Sequence, residues 1–295
     1  MKNLLYYVLI LAFAALKGCT PATHETVVCG DDKVLIIDTK ASDNTDIKVN
    51  WNWKVSEVSD LPADYQKLMI PTDECKPVDG NSKILITSSG GGAVLVDRAS
   101  KKTLFYARVP MAHSAEILPG NRIVVALSTA EGGNSIELYN INEPERPVFS
   151  DSLYSGHGVV WMEKLNRLFA LGFDELRSYS LSDWESDKPS LNLEQTWKLP
   201  DESGHDLSFV NDNTLLVTTH HNVWTFDTEK GNFLPFSMLE GTGDVKSVNY
   251  NEKTGGLIYT KAEESWWTNN IYFRNPDKIV TIPDMKIYKV REIRN

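Results

Sequence analysis

The same short hairpin recurs six times along this chain, and a chain built that way has few folds open to it. Ile84–Thr87 leads through Ser88-Ser89-Gly90-Gly91-Gly92 to Ala93–Asp97. Ile123–Leu127 leads through Gly132-Gly133-Asn134 to Ile136–Asn140, and Leu168–Leu171 leads through Gly172-Phe173-Asp174 to Leu176–Tyr179. Leu215–Thr218 leads through His220-His221-Asn222 to Val223–Asp227, and Leu257–Thr260 leads to Asn270–Phe273. The first copy is Val27–Cys29 followed by Val34–Asp38. β-Branched and aromatic runs between Gly, Asn and Asp clusters read as strands and turns. Outer strands follow at Val49–Val55, Thr103–Val109, Val148–Leu153, Glu194–Leu199 and Lys278–Ile282. Strand units repeated in this way predict an all-β fold, a single β-propeller. The first unit lacks an innermost strand, while the tail Lys286–Ile293 is an extra one. Inserting the tail beside Val27 closes the ring, leaves no open edge and predicts six four-stranded blades. Residues 56–73 read as an insertion, not a seventh blade.

The first residues are a separate object. Leu4–Leu16 is an apolar run behind Lys2, too short to span a bilayer and of the length of a signal-peptide core. Residues 1–18 are therefore expected to be a leader, 19–26 a linker and 27–295 the propeller. Loss of residues 1–18 removes Lys2 and Lys17 and takes the formal charge from −10 to about −12. Such an acidic domain is a poor nucleic-acid binder, because phosphate contacts need a basic surface. It is also repelled by anionic lipid. Cys29 and Cys75 either bridge or remain buried thiols, and no CxxC spacing is present.

His113, His157 and His205 each open a repeat, 10 or 11 residues before its apolar strand. The same offset from Ile84 reaches Glu74, and a later repeat offers Asp244. Equivalent positions of a propeller lie on a ring, so these five are expected to converge at one axial mouth. The turns carrying His220-His221 and Trp266-Trp267 face the same rim. Together they form a candidate site for a small-molecule or saccharide ligand. Imidazoles with carboxylates could hold a divalent metal, with His113, His157 and His205 as ligands. They could instead serve as acid and base, or bind an anion. Gly90–Gly92 lacks the strand–turn–helix setting of a phosphate loop, and neither a GxSxG elbow nor an HExxH motif occurs.

Four resemblances bear on this. Gly156-His157 and Gly204-His205 resemble the Gly-His pair of WD-type propellers, which implies structural histidines and a scaffold that recruits a protein partner. Leu16-Lys17-Gly18-Cys19 looks like a bacterial lipobox, which implies lipid attachment at Cys19, a cell-envelope location and membrane contact through the lipid anchor alone. His113-Ser-Ala-Glu-Ile-Leu-Pro-Gly-Asn-Arg-Ile-Val-Val resembles a unit of arylsulfotransferase-like and quinoprotein-like propellers. With the lipobox, the chain also resembles uncharacterised six-bladed propeller lipoproteins of Gram-negative anaerobes. The function these features imply is ligand binding at the axial mouth. The alternatives are an enzyme acting on acidic glycans or on sulfated or phenolic compounds, and the scaffold.

Overall fold

The computed structural model describes residues 24–44 and 46–294. The leader and Cys19 lie outside the described residues. Six antiparallel sheets of four strands each are present, one per repeat. The innermost strands are Thr72–Val78, Ala112–Leu118, Gly158–Met162, Asp206–Asn211, Val245–Asn251 and Ile287–Glu292. Each touches the next in cyclic order. Ile287–Glu292 lies beside Glu25–Gly30, so the C-terminal strand completes the first blade, as expected from the sequence.

The middle strands of each blade are buried on both faces, which explains why runs such as Ile84–Ile86 and Ile123–Leu127 are apolar at every position and not at alternate ones. In Lys83–Ser88, Ile84 and Ile86 pack toward blade 1, whereas Leu85 packs toward blade 3. Six apolar wedges result, one between each pair of neighbouring blades. Trp53 is buried in the wedge between blades 1 and 2, and Trp51 packs against it. The insertion before blade 2 forms a short helix, Ala63–Leu68. An outer strand at Asn232–Pro235 completes blade 5 where the sequence carries little signal, being four residues long and ending in Pro. Among the described residues, no helix is long and apolar enough to cross a membrane.

Cys29 and Cys75 are free, buried thiols in the wedge between blades 1 and 2. Their Sγ atoms lie 3.4 and 3.8 Å from the Lys289 carbonyl oxygen. Burial, with Cys29 beside it, pushes the Cys75 thiol well above its ordinary range.

Candidate functional site

The pairing registers show which residues crown the axis. On Thr72–Val78, Thr72 pairs with Ser88 but Glu74 pairs with Thr87, so Asp73 is an extra residue. His113 is extra in the same way between Ala112 and Ser114, as is Lys246 between Val245 and Ser247. On the closing strand the irregularity falls between Ile287 and Val290, at Tyr288-Lys289. Such bulges release one residue from the ladder and re-aim its side chain. In blades 4 and 5, His157 and His205 precede the strand and donate their N–H groups to Leu171 and Thr218, the strand-end residues there.

One ionisable residue per blade therefore stands at this level: Asp73, His113, His157, His205, Lys246 and Tyr288. Two repeated features support the equivalence. Met111, Ser155, Ser203 and Asp244 all have left-handed backbone, each two residues before its ring member. One level down, Ser114 Oγ, Asp206 Oδ2 and Ser247 Oγ accept the N–H groups of Val159, Val248 and Val290 on the next blades.

Two expected ring members move as a result. Asp73, not Glu74, occupies the ring in blade 2, because the bulge shifts the count by one. In blade 6 it is Lys246, because Asp244 takes the left-handed position before the strand. Asp244 stays at the rim, with its Oδ1 3.3 Å from His220 Nδ1 and 3.6 Å from Lys246 Nζ.

The three imidazoles do meet. His113 and His157 stack with centroids 4.3 Å apart and planes 13° apart, and His205 meets His157 edge-on at 5.7 Å. Stacked rings hold their lone pairs in parallel planes, so His113 and His157 do not aim at one ion. The ligand atoms that do cluster belong to His205, His220 and Asp244, within 4.8 Å of one another. Lys246 Nζ stands there already, donating to His205 Nε2 at 2.9 Å.

The protonation states follow from burial and the nearby cations. His157 Nδ1 donates to the Ser155 carbonyl at 2.9 Å, so Nε2 keeps its lone pair. Burial, then Lys289 and Lys246, brings His157 down to about 4, although the Ser155 carbonyl opposes this. Burial and Lys246 take His205 to about 2, and burial with His157 and Lys289 takes His113 well below its ordinary value. All three are neutral at pH 7. Burial lowers the Lys246 ammonium against the pull of Asp244, and raises the Tyr288 phenol well above its ordinary range. Asp73 is pushed up to about 7 by burial, against the opposing N–H of Ser89. His113 Nδ1 and His205 Nδ1 are buried without a hydrogen-bond partner among the described residues.

Trp266 is exposed at the mouth, edge-on to Tyr288 at 5.8 Å, whereas Trp267 is half-buried under Lys286. His220 and His221 are exposed on the blade 5 turn.

Beneath the ring lies a buried charge cluster. Arg291 Nε donates to Glu74 Oε1 at 2.7 Å, and Nη2 donates to Glu74 Oε2 at 2.6 Å. Its Nη1 and Nη2 also reach Asp206 Oδ2 and Oδ1, at 2.8 and 2.5 Å. Lys289 Nζ is 3.5 Å from Glu74 and 3.2 Å from Asp206. Burial alone would raise both carboxyls. Arg291 and Lys289 outweigh it, holding Glu74 at about 2 and Asp206 below its ordinary range. Two cations against two carboxylates make a neutral plug, so Glu74 serves closure and not the mouth. Asp206, Lys289 and Arg291 were not among the expected site residues. Their signal was the pair of cations two apart in a tail assigned to the innermost position, where each needs a buried carboxylate.

Fold and mouth together define the class: a six-bladed propeller with a sealed axis and an ionisable ring at one end. The chain belongs to DUF6528, a family of unknown function, which matches residues 23–295. No curated protein matches it. A protein of unknown function from Bacteroides caccae is similar in structure, with a TM-score of 0.60 and 14% identity over 92% of this chain and 99% of that one. In all, 1330 solved chains match, and likeness at 14% identity carries the fold, not an activity.

Proposed function

We propose that this chain is a lipid-anchored cell-envelope protein that binds a small acidic saccharide at its axial mouth, through a carboxylate or sulfate group. The observation that supports this reading is the ring of Asp73, His113, His157, His205, Lys246 and Tyr288. Lys246 supplies an ammonium, Tyr288 a neutral phenol and the imidazoles hydrogen-bonding nitrogens. Lys246 Nζ, 2.9 Å from His205 Nε2, places a cation at the mouth beside the imidazoles and favours an oxyanion there. Trp266 offers a stacking face beside it. The lipobox supports anchoring at Cys19, and the motif at His113 supports including sulfate esters among the ligands.

Calorimetry with galacturonate, glucuronate, glucose 6-sulfate and inorganic sulfate tests this reading. Binding of at least one is expected, weakened at least about tenfold in Lys246→Met, in line with loss of a charge-assisted contact. If none of these probes binds, the reading falls.

The grouping of His205, His220 and Asp244 favours a second reading, a divalent metal that displaces the Lys246 ammonium. Stoichiometric zinc in metal analysis, lost in His220→Ala and undiminished in Lys246→Met, would replace the oxyanion reading.

A further inference from the structure

The axis has a second mouth, at the ends of the same inner strands. Two residues beyond Glu74, Asp206 and Lys289, the residues Lys76, Ser208 and Arg291 line a hollow of ≈ 230 Å³ together with Glu116, Val160 and Asn249. The two-residue step along a strand returns each side chain to the axial face. The plug of Glu74, Asp206, Lys289 and Arg291 separates this hollow from the imidazole ring, for Glu74, Asp206 and Lys289 are fully buried.

We propose that this second mouth binds a neutral sugar ring. Three observations converge on that chemistry. First, Ser208 lines the hollow and is 8% exposed, and its Oγ is buried with no hydrogen-bond partner among the described residues. A buried hydroxyl left unmatched points to a missing partner. Its neighbour across the axis, Lys76, is paired with Glu116 at 3.3 Å, and four of the five guanidinium N–H groups of Arg291 are used by the plug.

Second, the charges at this mouth are matched within the protein. Lys76 faces Glu116, Arg294 faces Glu292 at 2.9 Å, and Arg291 is held by Glu74 and Asp206. A free anion or cation gains little from such a surface, whereas hydroxyl groups find both donors and acceptors.

Third, the walls are aromatic. Phe209 is 38% exposed at the edge of the hollow, and Trp161 lines it half-buried. Aromatic faces beside polar side chains suit the C–H face and hydroxyl rim of a pyranose. Nothing in this argument depends on what occupies the imidazole ring.

The test is saturation-transfer NMR on the purified full chain with glucose, galactose, mannose, xylose and N-acetylglucosamine. At least one is expected to receive saturation, with a Kd raised at least tenfold by Phe209→Ala and by Ser208→Leu, which fills the hollow. Lys246→Met, at the other mouth, should leave that Kd unchanged. Phe209 sits at an exposed edge, so its variant remains informative should Ser208→Leu fail to fold. Absence of saturation transfer to all five sugars overturns the proposal. So does binding that Lys246→Met abolishes and Phe209→Ala does not, which would place the sugar at the imidazole ring.

Discussion

His157 and Asp73 are held off their ordinary pKa values in ways that oppose each other as the pH falls. An unfolded histidine titrates near 6.5, whereas native His157 titrates at about 4 and His205 at about 2. Between pH 6.5 and 4 the unfolded chain takes up protons that the native ring refuses, so these residues make stability fall as the medium is acidified. Asp73 works the other way. Its native value of about 7 lies above the ordinary 3.8, so the native state takes up a proton first and gains stability over that range. In urea denaturation from pH 7 to 4.5, His113→Gln/His157→Gln/His205→Gln is expected to flatten the acid loss. His157 alone accounts for up to about 3 kcal/mol at 1.36 kcal/mol per pKa unit. Asp73→Asn should steepen it. Parallel curves for wild type and the triple variant would mean that the imidazoles are not held neutral.

The same titrations set the pH dependence of ligand uptake. An oxyanion beside the ring raises the imidazole pKa values, so its binding draws in protons. Protonation of Asp73 below about 7 also removes a repelling carboxylate. Affinity for an acidic sugar should therefore increase as the pH drops from 8 to 5.5. A calorimetric affinity that weakens over that range contradicts the positive mouth.

At the scale of the element, the inner strands carry two kinds of information, and the sequence displays them unequally. The apolar strands next to them are legible, because wedges on both faces demand runs such as Ile84-Leu85-Ile86. The three histidines are legible because they share one offset from those runs. The bulges are not, since an extra residue leaves no mark on composition. That is why Glu74 was placed one level too high, and why Asp244, at the left-handed position shared with Ser155 and Ser203, stood in for Lys246.

The alternation of Lys289 and Arg291 with Tyr288 and Val290 was visible, but their partners lie far off on other blades, 217 and 85 residues away for Arg291. Arg291 is buried between two carboxylates, and removing one partner of such a cluster costs about 3–5 kcal/mol. Arg291→Met should lower stability by that amount in urea at pH 7. Arg291→Met/Glu74→Gln leaves Lys289 facing Asp206 alone, one charge against one, and should recover part of the loss. A double variant less stable than the single one would show that net charge in the plug is not what matters.

For the whole molecule, the closing strand Ile287–Glu292 has two tasks that other strands share out. It pairs with Glu25–Gly30, covering an edge that would otherwise present unpaired N–H and C=O groups. It also delivers both cations of the plug, to carboxylates on blades 2 and 5. Deleting residues 286–295 therefore removes a ladder, the buried apolar side chains Ile287, Val290 and Ile293, and both cations paired with Glu74 and Asp206. Two carboxylates left buried without their paired cations cannot both remain ionised. The truncated chain is expected to show no cooperative melting transition in near-UV circular dichroism and to associate through its open edge. Deleting the same residues together with Glu74→Gln and Asp206→Asn separates the two tasks. If the neutralised truncation regains a cooperative transition, charge matching across the axis holds the ring shut. If it stays unfolded, the lost ladder decides the outcome, and the plug serves to select the closed ring over its open alternatives.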